Sequence, residues 1–168
     1  MKAIEKLSAL EAVRDKALDQ VVQAVPYHRF LGIECERLGD ELTTRLRFTP
    51  KLIGNPVLPA LHGGVTGSFL EITSILQLAW ANIGDRVDAG GEARAQIEAG
   101  RLPMLPKTID ITVDYLRSGR ARDAYARAIV TKHGRRVANV RVEAWQDERA
   151  RPFAAAHGHF LLPPDGGS

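Results

Sequence analysis

From Ala3 to about Ala24, apolar residues at Ile4, Leu7, Leu10, Val13, Ala17, Val21 and Val22 return every three or four positions, with charged residues between them. That spacing predicts one amphipathic helix, ended by Pro26. Two shorter runs follow, Leu31 to Leu38 and Glu41 to Phe48, separated by Gly39-Asp40. In the second run Leu42, Leu46 and Phe48 alternate with polar residues, so the pair reads as a β-hairpin. A loop rich in Gly and Pro, from Pro50 to about Leu61, leads to Val65, Phe69, Ile72, Leu76, Ala79 and Ile83, again at helical spacing. This stretch predicts a largely apolar, buried helix of about five turns.

Residues 84–106 hold several Gly, two Pro and mixed charges, with a short helix expected from about Glu92 to Ala99. A connection of that length reads as an insertion or a lid. Beyond it the period changes to that of strands: Lys107 to Arg117, with Ile109, Ile111, Val113 and Tyr115 on one face, then Asp123 to Lys132, Arg135 to Trp145 and Pro152 to Leu162. Helix, hairpin, buried helix and β-meander, in that order, predict an α+β domain whose antiparallel sheet wraps the central helix. The expected organisation is a helical extension over residues 1–29, the main domain over 30–162, and a disordered tail over 163–168.

Composition narrows the picture modestly. With 45% hydrophobic and 26% charged residues, the 168-residue chain suits one domain with an ordinary core. Its first twenty residues are charged throughout, and no later run reaches membrane-spanning length, so a cytoplasmic protein with no membrane partner is expected. The single cysteine, Cys35, excludes an internal disulfide and a thiolate metal cluster, and packing in a strand is its expected role. A net charge of +3 favours anionic partners, yet Lys and Arg are interspersed with acids. The basic turns also lack the interleaved aromatics of a single-strand platform, so nucleic acid is not an expected partner.

The candidate chemistry sits in His62-Gly63-Gly64-Val65-Thr66-Gly67-Ser68-Phe69-Leu70-Glu71. Gly64, Gly67 or Ser68, and Glu71 fall on one face of the predicted helix because seven residues make almost two turns. The residues alone admit two readings. In one, the glycines permit tight helix–sheet packing, Glu71 is solvated and His62 caps the helix. In the other, small residues let a ligand approach, the free N–H groups of the helix start donate to an oxygen gaining charge, and Glu71 lies roughly 10 Å further along the groove. A thioester suits such a site, since its thiolate leaves with little acid assistance and one carboxylate can suffice.

Leu61-His62-Gly63-Gly64 followed by Phe69-Leu70-Glu71 resembles the helix signature of hotdog-fold acyl-CoA thioesterases of the phenylacetate-degradation (PaaI-like) type, in which an acid stands seven residues after the second Gly. The resemblance extends to Leu31-Gly32-Ile33, to the segment from Thr108 to Gly119 and to that from Gly134 to Trp145, and covers roughly residues 30 to 162. It implies a hotdog fold and hydrolysis of acyl-CoA to a free acid and coenzyme A. Coenzyme A is then part of the substrate, and no separate cofactor is implied. It further implies Glu71 as general base or nucleophile, the Gly64 amide polarising the carbonyl, Gly63 and Ser68 lining the substrate, and His62 and Asn55 supporting the site. Sites of this kind lie between protomers, which implies a homodimer or a dimer-of-dimers tetramer.

The chain departs from that pattern in three ways. Asn55 stands seven residues before His62 instead of six, Ile75 occupies the position one turn after the carboxylate where relatives use Thr or Ser, and the 84–106 connection is longer. A non-catalytic acyl-CoA-binding or regulatory domain is the competing reading, because a fold does not fix a function. A hotdog hydratase or dehydratase is a third, disfavoured by the lack of an Asp-and-His pair in the helix motif. Arg117 and Arg120, with Arg122, flank Ser118-Gly119, where they meet coenzyme A phosphates or form a solvated turn. Lys132, His133, Arg135 and Arg136 carry the same two explanations. His157 and His159 share a strand face, but the sequence positions no third ligand beside them, and no metal is expected.

Overall fold

The computed structural model describes residues 2–39 and 41–164. Helix α1 (Lys2–Ala24) is followed at once by α2 (Pro26–Leu31). Pro26 stops α1, as expected, and also starts α2 from its first turn, where the missing N–H costs nothing. Strands β1 (Ile33–Leu38) and β2 (Glu41–Leu46) form the expected hairpin, with Ile33 opposite Leu46. The loop after it holds a 3-10 turn (Pro50–Leu52) and a two-stranded ribbon, β3 (Ile53–Asn55) with β4 (Ala60–Leu61). Then come α3 (Gly63–Ala89), α4 (Gly91–Glu98), β5 (Lys107–Tyr115), β6 (Ala124–His133), β7 (Val137–Trp145) and β8 (Ala154–Leu161).

Six strands form one antiparallel sheet in the order β1-β2-β6-β7-β8-β5. Its even-numbered positions from Leu42, Leu46, Ala126, Val140, Val142, Ala156 and Phe160 point inward and meet Phe69, Leu70, Leu76 and Ile83 of α3. The alanines of β6 to β8 leave the room that a helix lying in the curve of the sheet requires. This is the hotdog arrangement, an α+β fold with an N-terminal helix added. Helix α1 packs on α3 through Ala17, Leu18, Val21 and Val22.

Three features differ from the expected pattern. Helix α3 is 27 residues long and runs through Gly84 to Ala89, because Ile83 and Val87 keep its last turns anchored in the core. Much of the 84–106 connection is therefore helical: α4 matches the expected short helix and buries Ile97. Strands β6 to β8 make a meander, but β5 crosses to the far edge and pairs with β8, not with β6. A bulge at Ile109 breaks the alternation in β5, so Ile109 is 55% exposed while Ile111 and Val113 face inward. Of the expected tail, residues 165–168 lie outside the described residues, as does Asp40 of the first turn.

Candidate active site

Helix α3 starts at a self-made cap. The Gly64 N–H donates to His62 Nδ1 at 2.9 Å, and the His62 N–H donates to the Leu52 carbonyl at 2.9 Å. A histidine ring thus satisfies one of the helix's four unpaired amides. Gly54 makes this possible: a Cβ there would lie 2.6 Å from His62 Cα, so only glycine lets the ribbon pass so close. The sequence pattern does not mark Gly54, although a Gly on a ribbon beside the motif is the signal that could have found it.

The small stripe is present as expected. Gly64, Ser68 and Glu71 share one face of α3, and the residues bordering it are specific. On one side Tyr115, from the inner face of β5, donates its hydroxyl to the Gly63 carbonyl at 2.9 Å and passes within 3.5 Å of where a Gly67 Cβ would stand. On the other side Tyr27 of α2 shares a hydrogen bond of 3.2 Å with the Ser68 hydroxyl. Glu71 is half-buried, and Thr108 of β5 donates its hydroxyl to Glu71 Oε1 at 2.6 Å. Thr108 and Tyr115 both escaped the sequence reading, because their proximity to α3 depends on β5 lying at the far edge.

The other candidates divide. Asn55 is exposed, and its side-chain oxygen accepts from the Val57 and Leu58 amides at 3.0 and 3.1 Å, which makes it the turn-former of the β3–β4 ribbon. Thr73 and Ser74, near the position where relatives carry a hydroxyl, are buried. Both return their hydroxyls to helix carbonyls, Phe69 and Leu70, and Thr73 also meets Thr44 at 2.5 Å. A hollow at the helix start is lined by Gly63, Thr66, Tyr115 and Arg117, and a second hollow beside it shares Arg117 and adds Arg120, Arg122 and Arg151. Arg122 is held by Asp147 at 2.5 Å, whereas Arg120 meets Gln146 through its backbone, its N–H donating to Oε1 at 2.8 Å and its carbonyl accepting from Nε2 at 2.9 Å.

His159 lies 2.9 Å from Asp110, a neighbour that sequence spacing does not supply. Among the described residues no group of three or more His, Cys, Asp or Glu side chains could hold a metal. Burial pushes the Cys35 thiol up to about 12.

A half-buried carboxylate held by a threonine, beside a glycine-rich helix start inside a curved sheet, is an arrangement suited to acyl transfer to water. The model of the thioesterase superfamily matches residues 58–153, which include the helix start, Glu71 and Thr108. The chain belongs to the thioesterase superfamily. As a member it is a thioester hydrolase. The medium/long-chain acyl-CoA thioesterase YigI of Escherichia coli is 32% identical over 133 residues, covering 78% of this chain and 82% of YigI. A crystal structure of a Chromobacterium violaceum protein is 35% identical, with a TM-score of 0.62, and the match covers 93% of this chain and 97% of that one. A phenylacetic acid degradation-related protein of Ralstonia eutropha shares the fold at 19% identity, with a TM-score of 0.62 over 86% of this chain and 98% of its own. In this thioesterase no described helix is long and apolar enough to cross a membrane.

Proposed function

We propose that the protein hydrolyses acyl-CoA, with Glu71 as the general base. The observation that carries the reading is the Glu71–Thr108 hydrogen bond of 2.6 Å on the small face of α3, because it fixes one carboxylate oxygen and leaves the other for water. YigI, named for medium- and long-chain acyl-CoA, supports the substrate class. Glu71 takes a proton from water, the oxygen attacks the carbonyl carbon, and the C–S bond breaks to release coenzyme A as thiolate, which takes the proton from Glu71 and restores the carboxylate. The carbonyl oxygen draws on the Gly64 N–H, displacing the His62 ring that accepts from it, and Gly63 and Ser68 line the approach. Arg117 and Arg120 offer guanidinium groups to the phosphates of coenzyme A. The reaction needs no further cofactor.

The active unit in this reading is a homodimer or a dimer of dimers. Strand β5 is a sheet edge carrying Ile109 and Tyr115 at 55% and 58% exposure, with Leu116 just beyond it also exposed, and an edge of that kind is stabilised by pairing. Thiol release from a panel of aryl, short, medium and long acyl-CoAs tests the function. Turnover of at least one class is expected. Tight binding without turnover across the panel would make the chain a binding domain instead, and conversion of an enoyl-CoA without thiol release would make it a hydratase.

A further inference from the structure

Arginines elsewhere in and beside the sheet find acids: Arg45, Arg122, Arg127 and Arg141 each pair with a carboxylate. Lys107, Lys132, Arg135 and Arg136 are exposed, and among the described residues none of the four forms an ion pair. Strand register brings them to one corner. Lys107, Leu161 and Val137 stand side by side across β5, β8 and β7, and in the next row Lys132 of β6 follows His159 and Asn139. Cross-strand neighbours share a face, and the alternate positions Ala138, Val140 and Phe160 are buried, so both rows face away from α3. Leu161 is 36% exposed there and Ile129, one row further, 60%. The Gly134 N–H donates to the Val137 carbonyl at 2.9 Å, which closes the β6–β7 turn with Arg135 and Arg136 at its tip. Asp110, the acid of the second row, is held by His159 at 2.9 Å. Strand β6 separates this turn from Arg122 by about 30 Å, so the four cations lie far from the hollow of Arg117 and Arg120 in the same chain.

We infer that this corner of the sheet docks on an anionic phospholipid surface, with the four cations at the lipid phosphates and Leu161 and Ile129 against the apolar boundary. Each Lys or Arg close to an anionic leaflet strengthens attachment about fivefold. The aliphatic residues among the cations suit a bilayer, whereas neither row carries the Phe, Tyr or Trp on which the bases of a nucleic acid stack. The contact is one of lying on the surface, not of spanning it. The sequence-based expectation of no membrane partner followed from the lack of a spanning run, which does not bear on such a contact. The inference goes beyond the hydrolytic reading and does not depend on it.

The test is co-sedimentation of the full chain with vesicles of phosphatidylglycerol and phosphatidylcholine in equal parts, against vesicles of phosphatidylcholine alone. Four cations predict at least about 100-fold stronger binding to the anionic vesicles at low salt, fading as salt screens the charges. Arg135→Gln with Arg136→Gln, at an exposed turn tip, is expected to weaken that binding about 25-fold. Lys16→Gln with Arg47→Gln removes the same charge from other exposed positions and is expected to change it less than about threefold. Binding that does not distinguish the two kinds of vesicle, or that both pairs of substitutions weaken equally, overturns the inference. Transfer of the protein from the vesicles to duplex DNA of equal charge overturns it as well, and would make the corner a nucleic-acid site. An equal loss of coenzyme A affinity in the Arg135→Gln, Arg136→Gln protein, read by calorimetry, would place the turn at the substrate's phosphates instead. Vesicle binding without thiol release from any acyl-CoA sinks the hydrolytic reading alone.

Discussion

Thr108 is the residue on which the carboxylate's geometry depends. Removing its hydroxyl leaves Glu71 free to rotate, so Thr108→Val is expected to lower kcat/KM about tenfold, the equivalent of one good hydrogen bond to a charged group, while Thr108→Ser retains most activity. Steady-state kinetics on all three proteins check this, and equal rates would show that Thr108 does not orient the base. Gly54 is a structural counterpart. A methyl group there meets the His62 backbone at 2.6 Å, so Gly54→Ala is expected to destabilise the protein by about 1–3 kcal/mol in denaturant melts. Neither role was legible in the sequence, because both contacts join positions brought together only by the fold. Glu71, Gly64 and the small stripe were legible, since helical periodicity alone puts them on one face. The sequence left open whether His62 caps the helix, and the ring does so, accepting the Gly64 amide.

Among the elements, α3 was the most legible and β5 the least. A long apolar period survives Gly84 because Ile83 and Val87 stay buried on either side of it, which outweighs the roughly 1 kcal/mol a helical glycine costs. For β5, alternation fixed the strand but not its neighbour: the same pattern fits a place beside β6 or at the far edge, and the bulge at Ile109 hides the true inward face. Helix α2 was missed because Pro26 reads as a stop, and six residues give too little periodicity to read as a restart. The cap of α3 makes its own prediction. His62→Ala removes the acceptor of the Gly64 amide and is expected to cost about 1 kcal/mol, or roughly 2–4 °C in Tm for a chain of this size. An unchanged melting curve would mean that the cap contributes nothing to stability.

For the molecule as a whole, two groups tie stability to pH. His28 is buried, and desolvation holds its imidazole below the ordinary value. The Phe48 amide and the Arg45 guanidinium, at 2.8 and 2.6 Å, hold the Asp123 carboxyl below the usual carboxylate range. For both, the unfolded chain binds protons more readily than the folded one. Stability is therefore complete above about pH 6.5, declines first as unfolded His28 protonates, and declines again below about pH 4 through Asp123. Melts of His28→Leu should lose less Tm than wild type between pH 7.5 and 5.5, and equal losses would contradict the role of His28. The exposed β5 edge leads to a second expectation: sedimentation at micromolar concentration should give a dimer or a tetramer, and a monomer would place the whole site within one chain.

The functional account rests on the claim that Glu71 carries the hydrolysis. The direct measurement is kcat/KM of Glu71→Gln against wild type on the best acyl-CoA of the panel, with Tm recorded for both. Loss of the base predicts a fall of about 10²–10⁴-fold with Tm nearly unchanged. A rate within threefold of wild type, in a protein that is folded and binds the substrate normally, would contradict it.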